Sequence, residues 1–274
     1  MSTTTEATAI AVQDHWVTLA PRQRLFVRAW TPRAARGGNP IVLFHDSLGC
    51  VALWREFPEQ LAAATARPVI AYDRLGFGRS QPCSAMPALD FVAQEARTGF
   101  AAVRAQLGID AFVALGHSVG GGMAVHCAVA YPDSCEALIT EAAQVYAEDR
   151  TLHSIAAARD QFADPQQFAR LRRYHGARTA WVLEAWIGSW LRPEFAAWSL
   201  QPVLAQVRCP LLAIHGALDA YGSDVHPKLL AAGCSGPTEL MLLDDTGHVP
   251  HRERAAQVIA RIGTFVAASG TEPG

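Results

Sequence analysis

The stretch Ala111-Phe112-Val113-Ala114-Leu115-Gly116-His117-Ser118-Val119-Gly120-Gly121 decides how this chain is read. Apolar residues lead into Gly116-His117-Ser118-Val119-Gly120, a G-x-S-x-G pattern, and a run of small residues follows. Strand, sharp turn and helix in that order place the serine at the apex of the turn. The glycines make the turn sterically feasible, and Ser118 takes a strained backbone conformation that exposes its hydroxyl. The following helix points its positive end at the same spot, where negative charge would develop on an attacked carbonyl oxygen. Ser118 is the candidate nucleophile.

A serine hydroxyl is a poor nucleophile at neutral pH and needs a base that is itself oriented by an acid. On a sheet of this kind the partners follow in the order serine, acid, histidine, each just after a late strand. After the apolar run 211–214 comes His215-Gly216-Ala217-Leu218-Asp219, and after 239–243 comes Asp244-Asp245-Thr246-Gly247-His248. Asp219 and His248 are therefore the candidate acid and base. Glu141, at the end of another apolar run, is the competing acid; Asp244 and Asp245 lie too close to His248 in sequence to reach around to its ring. The backbone N–H of Val119 and that of Ser47, in Phe44-His45-Asp46-Ser47-Leu48-Gly49, are the expected oxyanion donors, with Leu48 as the alternative to Ser47.

Working outward, short apolar strands at 41–45, 69–73, 111–115, 137–141, 211–215 and 239–243 alternate with helices at 52–66, 91–107, 120–131, 227–232 and 255–267. This implies an α/β fold with a mostly parallel central sheet covered on both faces. Strands at 15–20 and 25–32, joined by a turn at 21–24, add an antiparallel edge. Residues 1–14 read as loose and 34–40 as a loop. Residues 146–204 break the alternation: they read as helices at 149–162, 165–174, 177–191 and 194–207 and hold four of the seven tryptophans. The expected organisation is a core of 1–145 and 205–274 with an inserted helical cap at 146–204.

Composition fits this reading. The chain has 274 residues, half of them hydrophobic, enough for a sizeable core. Lys+Arg number 23 against 25 Asp+Glu, so there is no basic excess to neutralise nucleic-acid phosphates. Six scattered cysteines without C-x-x-C pairs read as free thiols, which excludes a disulfide framework or a zinc finger as the expectation. No signal-peptide pattern and no apolar run near the ~18 residues of a membrane span are visible, so a cytoplasmic protein with no membrane partner is expected. Oligomeric state is not legible.

Through His45-Asp46-Ser47-Leu48-Gly49, Asp73-Arg74-Leu75-Gly76-Phe77-Gly78-Arg79-Ser80, Gly116 to Gly120, Asp219 and Gly247-His248, the chain resembles α/β-hydrolases with a helical cap, over residues 15–268. Relatives usually begin the oxyanion loop His-Gly, whereas Asp46 follows His45 here, a side chain placed to narrow the site. The resemblance implies acyl transfer with no metal or organic cofactor, acting on a small-molecule substrate. An esterase or lactonase for a small to medium, largely apolar substrate is the expected activity. Ser118 argues against haloalkane and epoxide chemistry, which use an aspartate nucleophile. Carbon–carbon hydrolases often carry Asn before the nucleophile and Trp after the base, where this chain has His117 and Val249. They remain an alternative, with lyases and non-hydrolytic ligand-binding members of the same fold.

The candidate pocket residues are His45, Asp46, Leu48, His117, Glu141, Tyr146, Trp186, Trp190 and Val249. Of these, His117 is also expected to pack and hydrogen-bond at the turn, and His45 to order its loop. His251 is expected to support His248, to line the pocket or to lie at the surface. Arg170, Arg172, Arg173 and Arg178 read as a solvated face.

Overall fold

The apolar runs pair into one eight-stranded sheet in the computed structural model, which describes residues 9–20, 22–33 and 38–269. The strands are β1 Ile10–Ala20, β2 Gln23–Pro32, β3 Ile41–Phe44, β4 Val69–Tyr72, β5 Phe112–His117, β6 Cys135–Glu141, β7 Leu211–Gly216 and β8 Thr238–Leu243, in the spatial order β1-β2-β4-β3-β5-β6-β7-β8. β1 pairs with β2 and β2 with β4 antiparallel; every other pairing is parallel. β5 is flanked by β3 and β6, so the turn that follows it opens near the middle of the sheet's carboxyl edge.

Successive side chains of a strand point to opposite faces, and a parallel strand buried on both faces is apolar throughout. Val42, Phe44, Phe112 and Ala114 go to one core; Ile41, Leu43, Val113 and Leu115 go to the other. The first core is closed by the helices Gly99–Leu107 and Val119–Ala130 and by the segment between β6 and β7; the second by Phe57–Thr65 and Ala255–Ser269. Each fully buried Val, Leu, Ile or Phe contributes about 1.5–3 kcal/mol, so this two-sided burial is the main force holding the sheet.

The expected boundaries shift in four places. Residues 10–14 are strand, not loose chain: Asp14 faces Arg28 across the β1/β2 ladder and the two form an ion pair at 2.6 Å. The first eight residues, Pro21 in the expected turn and residues 34–37 of the expected loop lie outside the described residues.

The helix expected over 91–107 is broken into Phe91–Gln94, a 3-10 turn Glu95–Arg97 and Gly99–Leu107. Glu95 turns inward to accept a hydrogen bond from Tyr72 Oη at 2.6 Å, and its carboxylate fills the space a side chain at Gly99 would need. The helix expected over 52–66 is likewise split, into Val51–Trp54 and Phe57–Thr65, by Arg55 at φ 53°.

The stretch expected as one helix over 194–207 is a 3-10 turn Pro193–Ala197, an extended link that lets Ser199 bridge Tyr146, and a short helix Gln201–Leu204. Between β6 and β7 the longer helices are Asp149–Gln161, Pro165–His175 and Thr179–Trp190. Asp164 caps the second by accepting a hydrogen bond from the Gln166 amide at 2.8 Å, and Pro165 starts it, an N-terminal signature legible in the sequence. Among the described residues, no helix is long and apolar enough to cross a membrane.

Candidate active site

Ser118 sits between β5 and the helix Val119–Ala130 at φ 55°, ψ −125°, a conformation that a residue with a side chain rarely adopts. The strain is held by backbone bonds on both sides: Ser118 N–H donates to Glu141 O, and Gly121 N–H to Ser118 O, each at 2.8 Å. The neighbouring glycines are there for close approach. A Cβ on Gly116 would lie 2.0 Å from Gly120 O, and one on Gly120 would lie 2.1 Å from Phe44 O. Helix, turn and β3 are thus pressed backbone to backbone.

Asp219 follows β7 and is buried, while His248 follows β8. His248 Nδ1 lies 2.8 Å from Asp219 Oδ2 and 2.9 Å from Oδ1. The carboxylate also accepts the Tyr221 amide at 2.7 Å. Burial pushes the Asp219 pKa up, but the hydrogen bond and charge of His248 outweigh it, and the net shift is below the ordinary aspartate value. An ionised Asp219 accepts from His248 Nδ1–H, the tautomer in which the neutral ring keeps Nε2 as its proton acceptor.

Ser118 and His248 border one cavity of about 210 Å³. Its other walls come from the 46–48 loop, from Gln144 and Tyr221, and from Ile155, Trp186 and Trp190 of the segment between β6 and β7. No hydrogen bond joins the Ser118 hydroxyl to His248; such bonds commonly tighten only when substrate is bound.

A sequence model of the alpha/beta hydrolase fold matches residues 39–185, more than half of the chain. The chain belongs to the α/β-hydrolase family. Human 1-acylglycerol-3-phosphate O-acyltransferase is 38% identical to it over 105 residues, 37% of this chain and 28% of that protein. A (lyso)-N-acylphosphatidylethanolamine lipase from Bos taurus is 31% identical over 124 residues, 45% of this chain and 35% of that protein. The match thus spans about a third or less of each curated relative. Among solved structures, proline iminopeptidase from Mycobacterium smegmatis superposes with a TM-score of 0.72 at 21% identity, covering 94% of this chain and 98% of that one, which is a likeness of fold.

A second set of buried polar groups lies beside the Ser118 cavity. Glu141 ends β6, but its carboxylate is taken by His251, whose Nδ1 is 2.5 Å from Oε2. Burial works to raise the Glu141 pKa, and the charge and hydrogen bond of His251 bring it below the usual glutamate value. His117 Nε2–H donates to the carbonyl of His248 at 2.7 Å, and its ring lies 5.0 Å from that of His251. Burial and the neighbouring His251 push the His117 pKa down to about 4, so the ring is neutral. His117, Glu141 and His251 offer donor atoms within 4.8 Å of one another. Tetrahedral zinc brings its ligands to roughly 3.3 Å apart, and His251 Nδ1 and Glu141 Oε2 already bind each other, so this set reads as a hydrogen-bonded bracket.

Of the pocket candidates, Asp46, Leu48, Trp186, Trp190 and Val249 border the cavity beside Ser118. His45 and His117 border a separate void of about 30 Å³ beside it, shared with Asp46, Val249 and His251. His45 orders its loop: Nδ1 bonds Asp46 O at 2.8 Å, and Nε2 accepts the Arg74 amide at 3.1 Å. Glu141 and Tyr146 lie off the cavity, the first held by His251 and the second packed against the His226 ring at 5.0 Å. His251 is buried, and Arg178 leaves the expected solvated face to donate to Gly78 O.

Sequence reading missed Gln144, Thr151, Ile155 and Tyr221. Tyr221 had a signal: it shares a loop with Asp219, and its ring lies 4.8 Å from that of His248. Gln144 had none beyond its position three residues past the end of β6. All six cysteines are free, with Cys135 Sγ and Cys209 Sγ 3.8 Å apart.

Proposed function

We propose that this hydrolase cleaves a small to medium, largely apolar carboxylic ester or lactone through Ser118, His248 and Asp219. The observation that carries the reading is the buried Asp219 carboxylate bonded to His248 Nδ1, on a histidine that borders the same cavity as the strained Ser118. In this mechanism Asp219 fixes the tautomer and His248 Nε2 accepts the Ser118 proton. Ser118 Oγ then attacks the substrate carbonyl carbon. The N–H groups of Val119 and Ser47 receive the oxyanion, aided by the positive end of the helix Val119–Ala130. The tetrahedral intermediate collapses as the alkoxide leaves with the proton that His248 returns. Water, deprotonated by the same ring, then attacks the acyl carbon; the bond to Ser118 Oγ breaks, His248 returns the proton to Oγ, and the acid is released.

The cavity wall supports an apolar acyl group: Leu48, Ile155, Trp186, Trp190 and Val249 dominate it. Acyl chemistry also appears in the names of the human acyltransferase and the bovine lipase. A nitrophenyl ester series from acetate to dodecanoate, together with simple lactones, tests the assignment. The expected result is turnover that peaks at short to medium chains and falls for the longest. Turnover that ignores chain length, or none on any ester or lactone, rejects it.

A further inference from the structure

Asp46 stands in the oxyanion loop where relatives usually have glycine. Its side chain is half-buried, and its carboxylate has no hydrogen-bond or ion-pair partner among the described residues. Neither oxygen is enclosed; both keep accessible surface. The loop makes room for the group, since a Cβ on Gly49 would lie 2.0 Å from Asp46 Oδ1. The Arg74 guanidinium is turned to the backbone instead, with Nη2–H donating to the Asp46 carbonyl oxygen at 2.8 Å. Asp46 borders both the Ser118 cavity and the small void beside it. Its charge is felt on the cavity side. Tyr221 borders the cavity and not the void, and its pKa is raised by burial, with further contributions from Asp219 and Asp46.

Resting on the ester or lactone reading above, we propose that Asp46 makes the Ser118 cavity selective for substrates that carry an ammonium group on an otherwise apolar skeleton. Among the residues that border the cavity Asp46 is the only acid, and none is lysine or arginine. An unpaired carboxylate in a partly desolvated site attracts a cation and repels an anion more strongly than it would in water. The hydroxyls of Ser47 and Tyr221, on the same wall, also lack a described partner, but a hydroxyl both donates and accepts and sets no preference of charge. A neutral hydroxyl on the substrate could donate to Asp46 and would leave its charge uncompensated; a substrate carboxylate or phosphate would be repelled. An ammonium supplies the missing charge. The aromatic residues favour the same ligand. Trp186, Trp190 and Tyr221 border the cavity, with the rings of Trp186 and Tyr221 6.1 Å apart, and ammonium groups are attracted to aromatic rings. Leu48, Ile155 and Val249 remain for the apolar skeleton.

Two isosteric pairs of esters test this, one with the charge on the acyl side and one with it on the alcohol side. The first is p-nitrophenyl 4-(trimethylammonio)butyrate against p-nitrophenyl 5,5-dimethylhexanoate. The second is butyrylcholine against 3,3-dimethylbutyl butyrate, followed by acid release. In each pair a quaternary nitrogen replaces a quaternary carbon, so size is held and charge alone changes. The expected wild-type kcat/KM favours the cation by about tenfold in at least one pair. That ratio should fall toward one in Asp46→Asn and in Asp46→Gly, the second restoring the residue usual in relatives. Each ratio is taken within one variant, so a general loss of activity cancels. A wild-type ratio near one in both pairs, or a cation preference that survives in a folded variant, overturns the assignment. Should one variant fail to fold, the other and the wild-type ratios still decide. Absence of turnover on all four esters in the wild type overturns the ester reading underneath.

Discussion

His248 Nδ1 is 2.8 Å from Asp219 Oδ2, while Glu141, the buried carboxylate that ends β6, is held by His251 at 2.5 Å. The two acids are therefore separated by partner as well as by strand. Asp219→Asn is expected to lower kcat on a nitrophenyl ester by about 10⁴-fold, because the amide favours the wrong histidine tautomer. Glu141→Gln is expected to stay within about tenfold in kcat and to lower the unfolding midpoint, since it disturbs a buried pair. Steady-state kinetics with circular dichroism melts on both variants decide the matter; the reverse ranking would make Glu141 the acid.

Close backbone packing at the turn sets a second expectation. Gly120→Ala places a methyl group 2.1 Å from Phe44 O. The helix and β3 must then separate, and a loss of more than about 3 kcal/mol, or failure to fold, is expected from overpacking of this severity. At Gly263, inside the helix Ala255–Ser269, an added methyl group would meet nothing within 4 Å. Gly263→Ala should stabilise by about 0.5–1 kcal/mol through helix propensity. Urea titrations of both variants check the pair.

His117 gives the fold an acid sensitivity with a definite sign. Its pKa is about 4 when folded, against an ordinary value of 6.5. Between these values the unfolded chain binds a proton that the folded chain refuses, so stability is full above pH 6.5 and falls as the pH drops toward 4. The loss from this residue reaches about 3 kcal/mol. His117→Gln should flatten the slope of unfolding free energy across that window by up to one proton. A residual slope should remain, because burial also depresses His45, His215 and His226. An unchanged slope in His117→Gln would mean that the ring is protonated in the folded state.

Much of this architecture could be read from the chain because its strands are buried on both faces. Ile41 to Phe44 and Leu211 to Ile214 are unbroken apolar runs, and each lies in a parallel strand of the sheet. The strand at 15–20 was legible but its extension over 10–14 was not, since that part is mostly exposed and Asp14 faces Arg28 there as an ion pair. The inward carboxylate of Glu95, which breaks a helix, gave no local sign either, because its partner Tyr72 is 23 residues away.

At the site, Ser118, Asp219 and His248 could be named because each follows a recognisable strand, with a glycine close before it. The structure brings His248 to Asp219 and sets Ser118 on the same cavity. The cavity wall was harder. Trp186 and Trp190 stood out by size and spacing, whereas Gln144 and Thr151 look like ordinary polar residues until the fold brings them to the wall of the cavity that Ser118 borders. The expectation for Tyr146 failed because Ser199 and His226 hold it elsewhere, a long-range arrangement that no local pattern encodes.

The central claim is that Ser118 is the nucleophile. Intact-mass measurement after treatment with a serine-directed fluorophosphonate, on the wild type and Ser118→Ala, tests it most directly, with hydrolysis of p-nitrophenyl butyrate followed in parallel. The account predicts one adduct and turnover in the wild type, and loss of both in a variant that melts at a similar temperature. An adduct that persists in Ser118→Ala, or near-normal turnover in that variant, would contradict it.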